Sequence, residues 1–138
     1  MQLLNKNTDY AVRSLMYLGK NRGSYITSRE VSTELEIPLQ FVRRILQRLR
    51  EVGLVETKEG VAGGVRLAGD PFRISLKDVI ELFQGSIQIS ACMFRQKLCP
   101  NRSKCVLRER ILSIEDTMIQ QFNQISIQTL LDDTEKVR

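Results

Sequence analysis

The chain contains three cysteines and no histidine, and the cysteines lie in one short stretch. Cys92, Cys99 and Cys105 are separated by six and five residues. Thiolates are soft ligands that bind zinc or iron–sulfur clusters. Structural zinc sites usually begin with two ligands about two to four residues apart and add a fourth Cys or His. Because neither feature is present, the spacing favours an iron–sulfur cluster, which a wide loop can enclose. The simpler alternative is three incidental thiols in a loop.

The absence of histidine restricts the fourth ligand of such a cluster to a carboxylate, an amide, a backbone group, water or a small thiol. Cationic side chains between the cysteines would offset the negative charge of a thiolate-ligated cluster. They are Arg95, Lys97, Arg102 and Lys104. A weak fourth ligand exposes iron to oxygen, nitric oxide or loss, which suits a sensor better than an electron carrier.

Composition restricts the function classes further. The 138 residues correspond to one domain or a small domain with an appendage, and 42% are apolar, enough for a core. The net charge of +5 favours polyanionic partners. No apolar run reaches the roughly 18 residues of a membrane-spanning helix, and the N-terminus does not resemble a signal peptide. We therefore expect a cytoplasmic protein whose reduced thiols serve a metal or redox centre rather than disulfides.

The N-terminal half predicts a helix-turn-helix. Apolar spacing indicates a helix from Thr8 to about Lys20, and Thr27 with Glu30 forms the capping box of a second helix. Pro38 suits the start of a third helix that runs to about Val52. Arg and Gln can hold guanine and adenine bidentately in the major groove, although a basic helix face is often only solvated. The candidate base-reading residues on the outward face of the third helix are Gln40, Arg43, Arg44 and Gln47.

A β-hairpin is expected directly after the third helix. Residues 54–57 and 65–67 have strand composition and flank a glycine-rich turn. Lys58 and Arg66 would meet phosphates or the minor groove, while Gly63 and Gly64 would form a tight tip that approaches DNA closely, or serve turn geometry alone. A hairpin in this position is a wing. The sequence thus predicts a mainly helical fold with a small β-hairpin, and a winged helix-turn-helix domain over residues 1–84.

The C-terminal half is expected to supply the sensor segment and the dimer contact. Ser75 can cap a short helix that ends near Gln84, and residues 85–104 form the cluster-binding cysteine loop. A long dimerisation helix is predicted over residues 105–130, with polar residues such as Glu115 on its outer side. A flexible tail is expected over 131–138. The apolar stripe of the helix consists of Leu107, Ile111, Ile114, Met118, Phe122 and Ile125. The alternative is that this helix packs on its own domain.

Several segments together resemble the IscR/NsrR/RirA group of bacterial winged-helix regulators. They are TDYAVRSLMYL, IPLQFVRRILQRLREVGLV, GVAGGVRLA, ISLKDVIELFQG and the cysteine triplet, and the resemblance covers about residues 1–130. It implies a dimeric transcription factor, in most members a repressor, whose 2Fe–2S or 4Fe–4S cluster reports iron, cluster supply, nitric oxide or redox stress. It also implies that Cys92, Cys99 and Cys105 are the ligands.

Two departures affect what the resemblance implies. IscR-like members have a histidine shortly after the third cysteine, where this chain has residues 106–108, Val-Leu-Arg, so their ligand set does not apply. In the nitric-oxide-sensing branch a carboxylate on the first helix of the partner subunit completes the site, and Asp9 matches it. Asp9 would also suit the first turn of a helix without any such role. The first cysteine gap is one residue longer than in IscR or NsrR and varies in RirA, so the branch stays open.

The expected function is that of a homodimeric repressor that binds a double-stranded operator with half-sites about one helical turn apart. Its sensor would be the labile cluster, and it would have no small-molecule substrate and no membrane partner. An enzyme or electron carrier is disfavoured because the chain lacks Cys-x-x-Cys and has no histidine for acid–base chemistry. The remaining alternative is a winged-helix regulator without a cluster, controlled by thiol oxidation or by a protein partner.

Overall fold

The computed structural model describes residues 2–89 and 105–137, and its architecture is mainly helical with a small β-hairpin, as predicted. Among these residues no helix is both long and apolar enough to cross a lipid bilayer. A single 3-10 turn, Pro71–Arg73, lies between the hairpin and the fourth helix. The other elements are α1 (Lys6–Lys20), α2 (Ser28–Leu35), α3 (Leu39–Glu51), β1 (Val55–Lys58), β2 (Gly64–Leu67), α4 (Leu76–Gln84), α5 (Val106–Gln124) and α6 (Ile127–Val137).

Local capping determines where several helices begin. The Thr27 hydroxyl accepts from the Glu30 N–H at 3.1 Å and the Glu30 carboxylate accepts from the Thr27 N–H at 3.2 Å, so the capping box of α2 is confirmed. Ser75 and Asp78 form a second reciprocal box at the start of α4. Pro38 precedes α3 as its N-cap residue. These signals lie within a few residues of one another, which is why the sequence locates them well.

The core is built around α1, whose Ala11, Leu15 and Leu18 are buried. The inner side of α3 packs into the same core. Val42 is fully buried there, whereas Phe41 is half-buried and meets the Tyr10 ring edge-on at 5.9 Å. The remaining buried members of that face are Ile45, Leu46 and Leu49.

The predicted single helix over residues 105–130 is wrong, because the chain breaks between α5 and α6. Ile125 has an extended backbone, and its carbonyl accepts from the Leu76 N–H at 2.7 Å. The Ser126 hydroxyl accepts from the Thr129 N–H at 3.0 Å, and the Thr129 hydroxyl accepts from the Ser126 N–H at 3.2 Å. This reciprocal cap starts a new helix. Pairing with the strand-like segment before α4 thus ends α5 at Gln124, so that Ile125, the last residue of the predicted apolar stripe, lies outside the helix.

The predicted flexible tail over 131–138 is also wrong for the residues described, since α6 continues to Val137. Ile127 is fully buried and joins the core, and α6 packs along α1. Leu131 lies so close to α1 that a Cβ on Gly19 would come within 2.9 Å of its Cδ1. The core of the N-terminal domain therefore extends beyond residue 84, because the C-terminal helix folds back onto it.

Candidate nucleic-acid interface and cysteine segment

The turn between α2 and α3 fixes the pair of helices that would meet DNA. Glu36 ends α2 in a left-handed conformation (φ 54°), and Ile37 is buried just after it. The Ile37 N–H donates to the Ser32 carbonyl at 3.1 Å, while the Ser32 hydroxyl donates to the Ile37 carbonyl at 2.6 Å. This pair of hydrogen bonds across the turn fixes where the chain leaves α2 and begins α3.

The outward face of α3 presents the predicted base-reading residues. Gln40, Arg43, Arg44 and Gln47 are all exposed, on the side opposite the buried leucines and isoleucines. The Arg44 guanidinium lies 4.8 Å from the centroid of the Phe41 ring, and that ring in turn contacts Tyr10 of α1. The structure therefore gathers these four side chains on one accessible surface. Their contact with bases stays a prediction.

The wing has a third strand-like segment that the sequence did not reveal. β1 and β2 pair antiparallel, and Ile26 forms an isolated bridge to Val65 through backbone hydrogen bonds of 2.7 and 2.8 Å. Val65 and Leu67 face the core, as does Val55 opposite Leu67. The hairpin is thus attached to the residue before the α2 cap, which ties the wing to the helix-turn-helix.

The outer side of the wing holds charged residues around one aromatic ring. Arg66 donates its Nε–H to the Glu56 carboxylate, directly across the strand pair. This hydrogen bond raises the pKa of Arg66 above its ordinary value. The Tyr25 ring lies 4.5 Å from the Arg66 guanidinium and 5.6 Å from the Lys58 ammonium. Lys58 and Arg66, both predicted to bind DNA, are therefore brought together.

The wing glycines are required by backbone geometry. A Cβ on Gly63 would lie 2.1 Å from the Lys58 carbonyl oxygen, and one on Gly64 (φ +152°) would lie 2.5 Å from the Ile26 carbonyl oxygen. Gly60 adopts a positive φ of 102° in the same turn. The turn interpretation of Gly63 and Gly64 is supported by these distances, and their approach to DNA stays a prediction.

Of the three predicted cluster ligands, only Cys105 belongs to the described residues; Cys92 and Cys99 lie outside them. Cys105 precedes α5 as its N-cap residue, and its half-buried thiol accepts from the Arg108 N–H at 3.4 Å. An N–H···S bond of this kind is compatible with a cluster ligand. Over residues 2–89 and 105–137 no three Cys, Asp or Glu side chains are grouped as a metal site. These ranges contain one cysteine of the triplet, Cys105.

The candidate fourth ligand, Asp9, lies in the first turn of α1 and is exposed. Its carboxylate pairs with Arg13 one turn later, at 3.8 Å. Arg13 also donates to the Leu35 carbonyl at 3.0 Å, at the end of α2. Asp9 is therefore accessible on the surface of α1, and its role as a ligand stays a prediction.

Gln84 joins the N-terminus to the end of α4, the helix that precedes residues 85–104, here called the cysteine segment. Its Oε1 accepts from the Asn5 N–H at 2.8 Å and from the Thr8 hydroxyl at 2.6 Å, and its Nε2 donates to the Leu3 carbonyl at 2.9 Å. Asn5 is itself the N-cap of α1. One amide at the end of α4 thus fixes the start of the helix that carries Asp9.

Sequence reasoning missed Gln84 and three other side chains of the site, Tyr25, Glu56 and Glu115. Glu115, placed on the outer side of its helix, is instead buried, and its carboxylate accepts from the Ile89 N–H at 2.9 Å. Gln84 gives no sequence signal because its partners are 76 to 81 residues away. The opposite charges of Glu56 and Arg66 on adjacent strands were a usable signal, since such pairs stabilise hairpins.

Comparison with known proteins agrees with the winged-helix interpretation. Residues 4–133 match the Rrf2 family, described as an iron-dependent transcriptional regulator. The transcriptional repressor NsrR of Streptomyces coelicolor is 26% identical over 130 residues, which cover 93% of this chain and 87% of that protein. The resemblance to IscR- and NsrR-type regulators is thereby confirmed.

Two solved structures share the fold. CymR, the global cysteine regulator of B. subtilis, aligns with a TM-score of 0.81 at 20% identity, covering 96% of this chain and 98% of CymR. IscR of T. potens aligns with a TM-score of 0.79 at 18% identity, covering 98% and 90% of the two chains. The family match also confirms a regulator of transcription rather than an enzyme. The chain belongs to the Rrf2 family of transcriptional regulators.

Proposed function

We propose that this regulator is a homodimeric repressor whose affinity for a palindromic operator depends on an iron–sulfur cluster at Cys92, Cys99 and Cys105. The observation that carries the DNA-binding part is the exposed Arg- and Gln-rich face of α3, together with a wing that presents Lys58 and Arg66. Arg43 and Arg44 would contact base edges, and Lys58 would contact phosphates. A winged-helix pair of this kind reads two half-sites about one helical turn apart.

The apolar surface of α5 supports the homodimer. Val106, Leu107 and Ile114 are 75%, 65% and 58% exposed in the single chain. Apolar side chains at helical spacing that none of the described residues covers indicate an interaction surface. A second copy of the same helix is the simplest cover, because a twofold axis brings identical surfaces together. The proposal also requires that the dimer bring Asp9 of each subunit toward the cysteine segment of the other.

The donor set fits an iron–sulfur cluster. Three thiolates are suitable ligands, and the one that the structure describes, Cys105, is accessible and accepts an N–H bond at a helix start. The partner's Asp9 would supply a carboxylate as the fourth ligand. When bound, such a cluster gives the protein a centre that oxygen, nitric oxide or iron limitation can damage.

The contacts around Gln84 supply a connection from the cysteine segment to α3. Gln84, at the end of α4, is hydrogen-bonded to Asn5 and Thr8 at the start of α1. Glu115 of α5 is hydrogen-bonded to the Ile89 backbone just before the cysteines. On α1, the Tyr10 ring in turn contacts the Phe41 ring of α3. A change in the cysteine segment that altered α1 would therefore reach the surface that faces DNA. The two states must differ in operator binding by a few kcal/mol for the switch to work.

The cluster proposal is tested by anaerobic purification and reconstitution with ferrous iron and sulfide. The wild-type protein should become brown. A DNA duplex is then selected from a random pool by its binding to the wild-type protein. The affinity for this duplex should differ between the cluster-loaded and cluster-free forms. Cys99→Ala should remain colourless with an unchanged circular dichroism spectrum. Identical affinities in the two forms would refute the switch.

Asp9 can be tested separately because a matched control exists. Asp9→Asn and Arg13→Gln both remove the ion pair between these residues, but only Asp9→Asn removes the carboxylate. Faster cluster loss in Asp9→Asn alone supports ligation, and equal loss in both variants excludes it.

A second candidate, regulation by thiol oxidation without a cluster, is favoured by the accessible Cys105 thiol. It predicts that peroxide changes the operator affinity of protein that stays colourless after reconstitution.

A further inference from the structure

Four side chains on the outer face of the wing form a compact group, here called the wing cluster: Tyr25, Glu56, Lys58 and Arg66. Glu56 and Arg66 are cross-strand partners joined by a hydrogen bond, and their side chains are 43% and 38% exposed. Tyr25 lies beneath both cations, at 4.5 Å from Arg66 and 5.6 Å from Lys58. An acidic side chain in a wing that meets DNA requires an explanation, since a free carboxylate repels phosphates.

We propose that Glu56 and Tyr25 are positioning residues that hold the Arg66 guanidinium in the orientation in which it contacts the DNA backbone. This inference rests on the proposed DNA-binding function and names residues that assist it. The Glu56 carboxylate engages Nε of Arg66. The two Nη nitrogens of a guanidinium carry its remaining N–H donors, so they stay available for a phosphate.

The physical benefit is preorganisation. A free arginine loses much conformational entropy when it is immobilised at an interface, and a side chain already held in place loses less. The Tyr25 ring restricts the guanidinium plane from below, and the Glu56 carboxylate fixes its rotation. The competing explanation is a surface ion pair that merely joins the two strands, and such pairs contribute little to stability.

Variants at Glu56 distinguish positioning from simple electrostatics by the sign of the effect. Glu56→Ala and Glu56→Gln remove the same negative charge, but the amide oxygen of glutamine can still accept from Arg66. We expect Glu56→Ala to weaken binding of the selected duplex about three- to tenfold, the scale of the net contribution of one ordinary hydrogen bond, and Glu56→Gln to bind close to wild type. Tighter binding by both variants would overturn the proposal.

Glu59→Ala is the matched control, because Glu59 is an exposed glutamate at the wing tip. It should bind the duplex as tightly as wild type or slightly more tightly. Thermal unfolding of every variant is measured alongside, so that a loss of binding accompanied by an unfolded protein is recognised. Should Glu56→Ala bind like Glu59→Ala, Glu56 does not position Arg66.

The pairing with Arg66 is tested by a double-mutant cycle. Arg66→Ala should weaken binding and lower the slope of log affinity against log salt by about one, as expected for one lost phosphate contact. In the Arg66→Ala background, Glu56→Ala should cause no further loss. An additive loss in the double variant, or an Arg66→Ala protein that binds like wild type, overturns the proposal. Failure of the wild type to select any duplex would instead refute the DNA-binding function itself.

Tyr25 has its own pair of variants. Tyr25→Phe keeps a ring beneath the two cations, and Tyr25→Leu keeps only an apolar side chain. We expect Tyr25→Phe to bind the duplex like wild type and Tyr25→Leu to bind about threefold more weakly, since stacking on a ring is a modest interaction. Equal affinities of the two variants would remove Tyr25 from the proposal.

Discussion

The wing shows how single residues determine whether a DNA-binding surface can form. Gly64 occupies the point where β2 passes the Ile26 carbonyl, and its φ of +152° is one that L side chains rarely adopt. The hydrogen bonds between Ile26 and Val65 require this close approach. The charged residues Lys58 and Arg66 can therefore share the Tyr25 ring only because a glycine lets the third segment join the hairpin.

Replacing Gly64 with alanine tests this dependence. The new Cβ would lie 2.5 Å from the Ile26 carbonyl oxygen, so the bridge must open or the wing must shift. We expect Gly64→Ala to lower the free energy of unfolding by about 2–4 kcal/mol, measured by urea denaturation. Gly69→Ala is the control, because a Cβ there meets nothing within 4 Å. Equal stabilities of the two variants would mean that the third segment does not constrain the wing.

The elements differ in how far the sequence could predict them. The two capping boxes, Pro38 and the wing turn were predictable, because each depends on residues a few positions apart. The α5–α6 break was not, since Ile125 and Ile127 pair with the backbone on either side of Ser75, about fifty residues earlier in the chain. An apolar stripe does not reveal whether its last residue stays helical. The partners of Gln84 were unpredictable for the same reason, whereas the α3 face was read from local periodicity.

The role of α6 in the core can be measured at Ile127. This side chain is fully buried between α1 and the segment before α4, so its removal leaves a cavity. We expect Ile127→Ala to cost about 2–5 kcal/mol of unfolding free energy, determined by urea denaturation. Val137→Ala on the same helix serves as the control, because Val137 is 88% exposed. If the helix were frayed, both variants would have the stability of the wild type.

For the molecule as a whole, the main consequence is that the residues described build a buried core and leave apolar side chains of α5 exposed. α6 folds back onto α1, so the residues after Ile125 are not available to extend a seam on α5. We therefore expect the proposed dimer contact to lie on α5, where Leu107 and Ile114 are exposed. A short contact of this kind would suit the proposed switch, in which the two heads change their relative position.

The dimer prediction is tested by placing a charge on α5. Ile114→Glu would bury a carboxylate without a partner in the proposed contact, which costs several kcal/mol per dimer. We expect this variant to sediment as a monomer at concentrations where the wild type sediments as a dimer. It should also bind the selected duplex more weakly, since two linked heads gain from each other's binding. Val137→Glu adds the same charge at an exposed valine of α6 and should leave both measurements unchanged. A wild-type protein that is monomeric at every concentration would exclude the dimer. An Ile114→Glu protein that still dimerises would place the subunit contact elsewhere.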